Sequence, residues 1–377
     1  MASSSTVAGP TIRNTRNPDA TSPPSILHLS FNHEGRSFAV GTTDGFMIFD
    51  TDPFVQTIRQ DFSKNDQGVG IRIVQMILGT SIFAVVTTRL RRQKIMIWHD
   101  YDLVRQVTEV LCFRSEVKSV RVRPDRVVAV MMQKVFVYDH KNLQLLHEIE
   151  TGPNPKGLCE ISLSGGMVLV CLGSEKGEVR VEHYRLSSSK LIKAHDSDVA
   201  CAALSNDGRL LATASTKGTL VRVFDTLDGR LLQELRRGSE RAEVHSLSFS
   251  SDTEWLAVSS NKGTVHVFRL KTSSRSIGTG GSQEAEQNNS PLSCLSSFKG
   301  ILPNYFSSEW SVARFHVPQD IQHIVTFGHQ KHTVLIIGMN GIFYRCKFDP
   351  IAGGAMTQME CHNFLQPDFA GNSLDSE

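Results

Sequence analysis

The stretch VACAALSNDGRLLATAS (199–215) alternates apolar and polar residues, breaks at the turn Asn206-Asp207-Gly208, and resumes as an apolar run ending in small hydroxyls. That is strand, hairpin, strand, and KGTLVRVFD (217–225) follows it directly as a third strand behind its own Lys-Gly turn. VHSLSFSSDTEWLAVSS (244–260) and KGTVHVF (262–268) repeat the whole unit. No amphipathic stretch of helical length separates these strands, so they are not βαβ units.

Working outward, the third-strand pattern recurs along the chain. GTTDGFMIFD (41–50), QKIMIWHD (93–100), QKVFVYDH (133–140), GEVRVEHY (177–184) and MNGIFYRCKFD (339–349) join the two copies above. Their aromatic or equivalent anchors are Phe49, Trp98, Tyr138, His183, Phe224, Phe268 and Tyr344, with successive gaps of 49, 40, 45, 41, 44 and 76 residues. Five of these gaps fit the repeat of about 40–45 residues of four-stranded propeller blades, and the last fits one blade carrying an insertion of about 30 residues. The expected fold is all-β: a seven-bladed β-propeller of WD40-like four-stranded blades, in which radial repetition protects the strand edges. Whether the ring closes through an N-terminal strand or with each blade standing alone stays open at this level.

The inserted stretch, KTSSRSIGTGGSQEAEQNNSPLSCLSSFKGILPNYF (271–306), begins as Ser/Gly/Gln/Asn-rich loop. Its second half spaces Leu292, Leu295, Phe298 and Leu302 by three and four residues, one face of a short helix. That face either packs on its own blade or is held out toward a membrane. SSEWSVARFHV (307–317) then returns to strand. The domain layout expected is a disordered N-terminal tail (1–24), a propeller (25–360) with this long loop in blade six, and a flexible C-terminal tail (361–377).

Composition narrows the function. With 40 Lys+Arg against 38 Asp+Glu the net charge is +2, so no whole-molecule field draws the chain to DNA or to an acidic membrane, and any anion binding has to come from a local cluster. Only 7% of residues are aromatic, and a basic face with interleaved aromatics, the usual sign of RNA binding, is missing. The seven cysteines are scattered without a C-x-x-C pair, as in a reducing compartment. No apolar run approaches the roughly 18 residues needed to span a bilayer. The opening MASSSTVAGPTIRNTRNPDATSPPS lacks an apolar signal core and reads as a tail, with a plastid transit peptide the alternative.

The chain is not expected to be an enzyme. It carries no H-E-x-x-H, G-x-S-x-G or phosphate-loop pattern, and IGTGGS (277–282) lacks the glycine spacing for a dinucleotide. His323, His329 and His332 have no carboxylate or thiol companion in the pattern, so no metal and no cofactor is expected.

Against that neutral background, LLQELRRGSERAE (231–243) concentrates Arg236, Arg237 and Arg241 between two matching repeats. Aligning ATASTKGTLVRVF (212–224) with AVSSNKGTVHVF (257–268) sets Ser215 against Ser260, Lys217 against Lys262, Thr219 against Thr264 and Arg222 against His266. In extended backbone successive side chains alternate, so Arg236 is predicted to face one blade and Arg237 the other. Guanidinium forks, hydroxyls and a Lys point charge suit a compact phosphomonoester dianion. Gly238 is expected to let the chain turn, and Glu234, Glu240 and Glu243 temper the charge. A second cationic run, Arg89 to Lys94 in blade two, reads either as a charged hairpin edge or as part of a partner site.

These residues resemble the PROPPINs, the propellers of the autophagy-related protein 18 and WIPI group. The likeness is carried by AHDSDVACAALSNDGRLLATASTKGTLVRVFDT (194–226), LRRGSERAEVHSLSFSSDTEWLAVSSNKGTVHVF (235–268) and LPNYFSSEWSVARF (302–315). Leu235 stands where the family has phenylalanine in its F-R-R-G signature, a position expected to pack inward. The resemblance implies a non-enzymatic effector with two sites for phosphatidylinositol 3-phosphate and phosphatidylinositol 3,5-bisphosphate. Site one would use His195, Ser215, Thr219, Arg222 and Arg236. Site two would use Arg237, Arg241, Ser260, Lys262, Thr264 and His266. It also implies bilayer insertion of the blade-six loop through Leu292, Leu295, Phe298 and Leu302. Autophagy-related protein 2 is the implied partner of a chain monomeric in solution. The implied location is the cytosol and the surface of preautophagosomal, endosomal or vacuolar membranes. The competing class is a WD-type protein scaffold that binds no lipid, though the WD dipeptides and Gly-His pairs of that class are mostly missing.

Overall fold

Every one of the seven anchor residues lies on the third strand of a four-stranded antiparallel unit: Phe49 on Gly45–Thr51, Trp98 on Gln93–Tyr101, Tyr138 on Lys134–Asp139, His183 on Glu178–His183, Phe224 on Leu220–Asp225, Phe268 on Thr264–Arg269 and Tyr344 on Ile342–Lys347. The computed structural model describes residues 24–62, 70–76, 82–88, 93–101, 104–271 and 308–366. Its sheets are seven blades in chain order, running over 26–61, 71–113, 119–150, 159–193, 199–236, 244–316 and 323–363. Nearly all of the N-terminal tail, Arg89 to Arg92 of the blade-two cationic run, and Leu292, Leu295, Phe298 and Leu302 of the insertion lie outside the described residues.

Alternation explains why the strands are so heavily buried. A blade is covered on both faces by its neighbours, so both residue parities of its inner strands meet apolar surface. The buried apolar residues accordingly divide into seven clusters, each shared by two adjacent blades. Between blades five and six, for example, Val221, Val223 and Leu235 pack with Val244, Leu256, Val258 and Phe268.

Among the described residues the ring closes without strand exchange: blade one uses Ile26–Phe31 through Phe54–Asp61, and blade seven uses His323–Phe327 through Thr357–Asn363. Side chains hold the seam. Phe38 stacks on Phe343 at 5.9 Å and meets the edge of Phe364 at 5.3 Å between ring centroids. Arg345 donates to the Thr51 carbonyl and lies 3.5 Å from Asp52 and 3.1 Å from Glu360. The expected propeller boundary at residue 360 is therefore too early. The last strand runs to Asn363, and Phe364 is buried because it fills the seam.

Two short segments depart from the simple repeat. Blade six runs Val244–Phe249, Trp255–Ser260, Thr264–Arg269, and its fourth strand, Ala313–His316, comes only after the insertion. On the way back, Glu309–Trp310 pairs in parallel with Leu231–Arg236 of blade five, in the register Leu235 with Glu309 and Arg236 with Trp310. The base of the insertion is clamped where Lys271 Nζ meets Glu309 at 2.7 Å, while Gln233 donates to the same carboxylate at 3.0 Å.

Candidate functional site

Leu235 anchors the arginine pair. It is wholly buried among Val221, Leu256 and Phe268, so it serves the inward role expected of the family's phenylalanine. Beyond it the chain leaves blade five, and the turn Ser215 to Gly218 of that blade catches it. The backbone N–H groups of Arg237 and Gly238 donate to the Thr219 carbonyl at 3.0 and 3.3 Å. Gly218 adopts φ +63°, and a Cβ there would fall 1.8 Å from the Ala242 carbonyl oxygen, so only glycine fits. Gly238, expected to supply the turn, has no left-handed φ and open space around its Cβ position. The conformational demand of the site sits at Gly218 instead.

The two guanidiniums diverge. Arg236 faces the side of Leu220, its cross-strand partner, and its Nε donates to Ser308 Oγ at 2.8 Å. Arg237 donates from Nε to the Gly218 carbonyl at 2.8 Å and from Nη2 to the Glu240 carbonyl. Burial pulls the Arg237 guanidinium below its ordinary value, and Glu240 opposes that. Both residues are buried over most of their surface, at 7% and 6% exposure.

On the Arg236 side, His195 Nε2 lies 3.0 Å from Thr213 Oγ1. Burial, and then the charge of Arg222, lowers the His195 pKa to about 4, so its imidazole is neutral at pH 7. Arg222 pairs in register with Thr213. Its Nε donates to Glu234 at 2.9 Å and its Nη1 to the Ala194 carbonyl at 2.8 Å, so this cation is already committed within the fold. Ser215 Oγ is buried and accepts from the Lys217 N–H at 3.3 Å, and Thr219 is half-buried beside the turn.

On the Arg237 side, His266 Nδ1 lies 3.0 Å from Ser311 Oγ. Its pKa is likewise lowered to about 4, first by burial and next by Arg237, Arg314 and His316. Ser260 Oγ is buried with no hydrogen-bond partner among the described residues. Thr264 Oγ1 lies 3.4 Å from His316 Nδ1, and Lys262 bridges to Glu240 at 3.0 Å. Arg241 is exposed, with no side-chain partner among the described residues.

The three acidic neighbours are individually tied, Glu234 to Arg222 at 2.9 Å, Glu240 to Lys262 at 3.0 Å and Glu243 to Lys156 at 2.5 Å. None of these described pairs sets a carboxylate on the guanidinium of Arg237. Ser308, Ser311, Arg314 and His316 also lie here, and no local pattern marks them because all four follow the insertion. Cross-strand register sets His266 against Arg314 and Thr264 against His316, so the fourth strand of blade six brings Arg314 and His316 beside these residues. The histidines His329 and His332 are separated: the first lies 3.5 Å from Asp52, the second packs on Phe348 at 5.3 Å. No helix among the described residues is long and apolar enough to cross a membrane.

A family model described as PROPPIN matches residues 25–295. Autophagy-related protein 18e of Arabidopsis thaliana is 39% identical over 363 residues, covering 94% of this chain and 92% of its own length. Autophagy-related protein 18 of Dictyostelium discoideum is 31% identical over 363 residues, covering 91% and 95%. Among solved structures, KlAtg21, in its complex with the coiled coil of AgAtg16, is similar with a TM-score of 0.73 at 23% identity, covering 90% of this chain and 99% of its own. At that identity the likeness is one of fold.

Proposed function

The chain belongs to the PROPPIN family of autophagy β-propellers, and on that premise we propose that it is a non-enzymatic phosphoinositide effector with one headgroup site on each side of the arginine pair. Phosphatidylinositol 3-phosphate and phosphatidylinositol 3,5-bisphosphate are its ligands. What supports this reading is that the two guanidiniums bond to different partners, Arg236 to Ser308 Oγ and Arg237 to the Gly218 and Glu240 carbonyls.

The chemistry follows from the groups present. A phosphomonoester dianion accepts charge-assisted bonds from a guanidinium, and Ser, Thr and imidazole N–H groups fill its remaining lone pairs. A guanidinium already held by Ser308 Oγ, or by the Gly218 and Glu240 carbonyls, loses little side-chain entropy on binding. His195 and His266, neutral at pH 7, act as donors whose charge rises when a dianion arrives. Two weak sites on one rigid rim bind a membrane together far more tightly than either does alone.

The protein then works as a peripheral adaptor on autophagy-related membranes, recruiting autophagy machinery such as autophagy-related protein 2. The similarity to a propeller solved with a coiled coil of AgAtg16 supports a protein partner of that kind. The test is sedimentation with liposomes containing phosphatidylinositol 3-phosphate. Arg236→Thr with Arg237→Thr is expected to abolish it while the unfolding transition is kept. Unchanged sedimentation rejects the reading, and loss of lipid binding with intact partner pull-down separates the two activities.

A further inference from the structure

Of the three tryptophans in the chain, Trp98 and Trp255 are 8% and 4% exposed, whereas Trp310 is 56% exposed. Its position is held from several directions. Trp310 stands in parallel register with Arg236, one strand spacing of about 4.8 Å away. Glu309, the residue before it, is fixed by Lys271 at 2.7 Å and by Gln233 at 3.0 Å. Ser308 Oγ meets Arg236 Nε, and the register pairing of Trp310 with Arg236 puts the indole on the same face of the sheet as that arginine. A large indole is thus presented to solvent by a clamped backbone beside a guanidinium of the headgroup site.

We propose that Trp310 is an interfacial anchor, seated in the headgroup layer of the same bilayer whose phosphoinositide is held at Arg236. The proposal rests on the phosphoinositide reading above and adds a contact that reading does not contain. An indole has an apolar body and one N–H donor, which is why tryptophan prefers the membrane–water boundary to either phase. A phosphoinositide held at Arg236 brings the headgroup layer of its bilayer to that edge of blade five, where the indole is exposed. The anchor needs no rearrangement, because the strand that carries it is already paired with Leu231–Arg236. It adds to the headgroup bonds as a second attachment on the same rigid surface.

The three-tryptophan composition gives a direct readout. Vesicles of phosphatidylcholine with a few per cent phosphatidylinositol 3-phosphate are expected to shift the emission of the full chain to the blue. Brominated phosphatidylcholine should quench it, and Trp310→Phe should show neither change. Trp310→Ala should weaken vesicle binding about tenfold, as expected for exposing half an aromatic side chain. Its affinity for soluble inositol 1,3-bisphosphate should stay the same. Vesicle-bound protein whose emission neither shifts nor is quenched overturns the anchor while leaving the headgroup sites standing. Equal loss of soluble-headgroup binding in Trp310→Ala also overturns it, since the residue then acts on the site and not on the bilayer. Failure of the unmodified chain to sediment with these vesicles removes both proposals together.

Discussion

Arg236 Nε donates to Ser308 Oγ at 2.8 Å across 72 residues of chain. The arginine that ends blade five and the segment that returns from the blade-six insertion are therefore one structural unit. The parallel pairing of Leu235 with Glu309 and of Arg236 with Trp310 extends that unit along the strand.

Removing the hydroxyl should loosen the fork without unfolding the blade. Ser308→Ala deletes a buried acceptor worth about 1 kcal/mol. The expected result is a fall of roughly fivefold in soluble headgroup affinity at one of two sites, measured by titration calorimetry. An unchanged affinity would mean that other contacts of Arg236 suffice to orient it.

Single substitutions distinguish two half-sites from one. Arg236→Gln and Arg237→Gln should each reduce the stoichiometry from two soluble headgroups per chain to one. Each should also leave vesicle binding measurable but weak, because paired attachment is lost. If either substitution alone removes all headgroup binding, both arginines serve one ligand.

The buried histidines fix the direction of the pH dependence. His28, His195 and His266 each have a native pKa lowered to about 4, mainly by burial, against about 6.5 in the unfolded chain. Between those values the unfolded state binds more protons than the native state, so stability is complete above about pH 6.5 and declines as pH falls toward 4. Urea midpoints taken at intervals from pH 7.5 to 4.5 should fall steadily below 6.5. His195→Gln and His266→Gln should each flatten that slope.

The blades are legible in the sequence because each third strand carries its turn and its anchor within about ten residues. Phe224 and Phe268 fall on equivalent positions through local pattern alone, and the pairing of Arg222 with Thr213 and of His266 with Val258 bears out their alignment. What is not legible is contact made across the insertion. Nothing near Arg236 in sequence points to Ser308, and nothing near His266 points to Arg314 or His316. Gly238 misled for a related reason. A glycine after two arginines suggests a turn, but the close approach is between Gly218 and the Ala242 carbonyl, two parts of different loops.

Arg222 should behave as a fold residue more than a ligand. Its guanidinium is shared between Glu234 and the Ala194 carbonyl. Arg222→Gln leaves the largely buried Glu234 without its cation and should cost about 1–3 kcal/mol of stability. Headgroup affinity should drop less than in Arg236→Gln. The double variant Arg222→Gln with Glu234→Gln should regain part of the lost stability, the coupling expected of a contacting pair.

The last prediction concerns the seam. Among the described residues no strand crosses from one end of the chain to the blade at the other, and the seam is held by side chains of two kinds. Arg345 lies against Asp52 and Glu360, half-exposed carboxylates whose attraction is largely offset by desolvation of the guanidinium. Phe364, at 2% exposure, is surrounded by Phe38 and Phe49 at 5.3 and 5.6 Å. Truncating it opens a cavity that rigid strands on both sides cannot fill, so Phe364→Ala should cost about 3–5 kcal/mol in urea unfolding. Phe364→Leu, which keeps most of the volume, should cost about 1 kcal/mol. Equal losses in the two variants would mean that ring contacts at the seam matter more than filled volume. A negligible loss in Phe364→Ala would shift closure onto the Arg345 pairs.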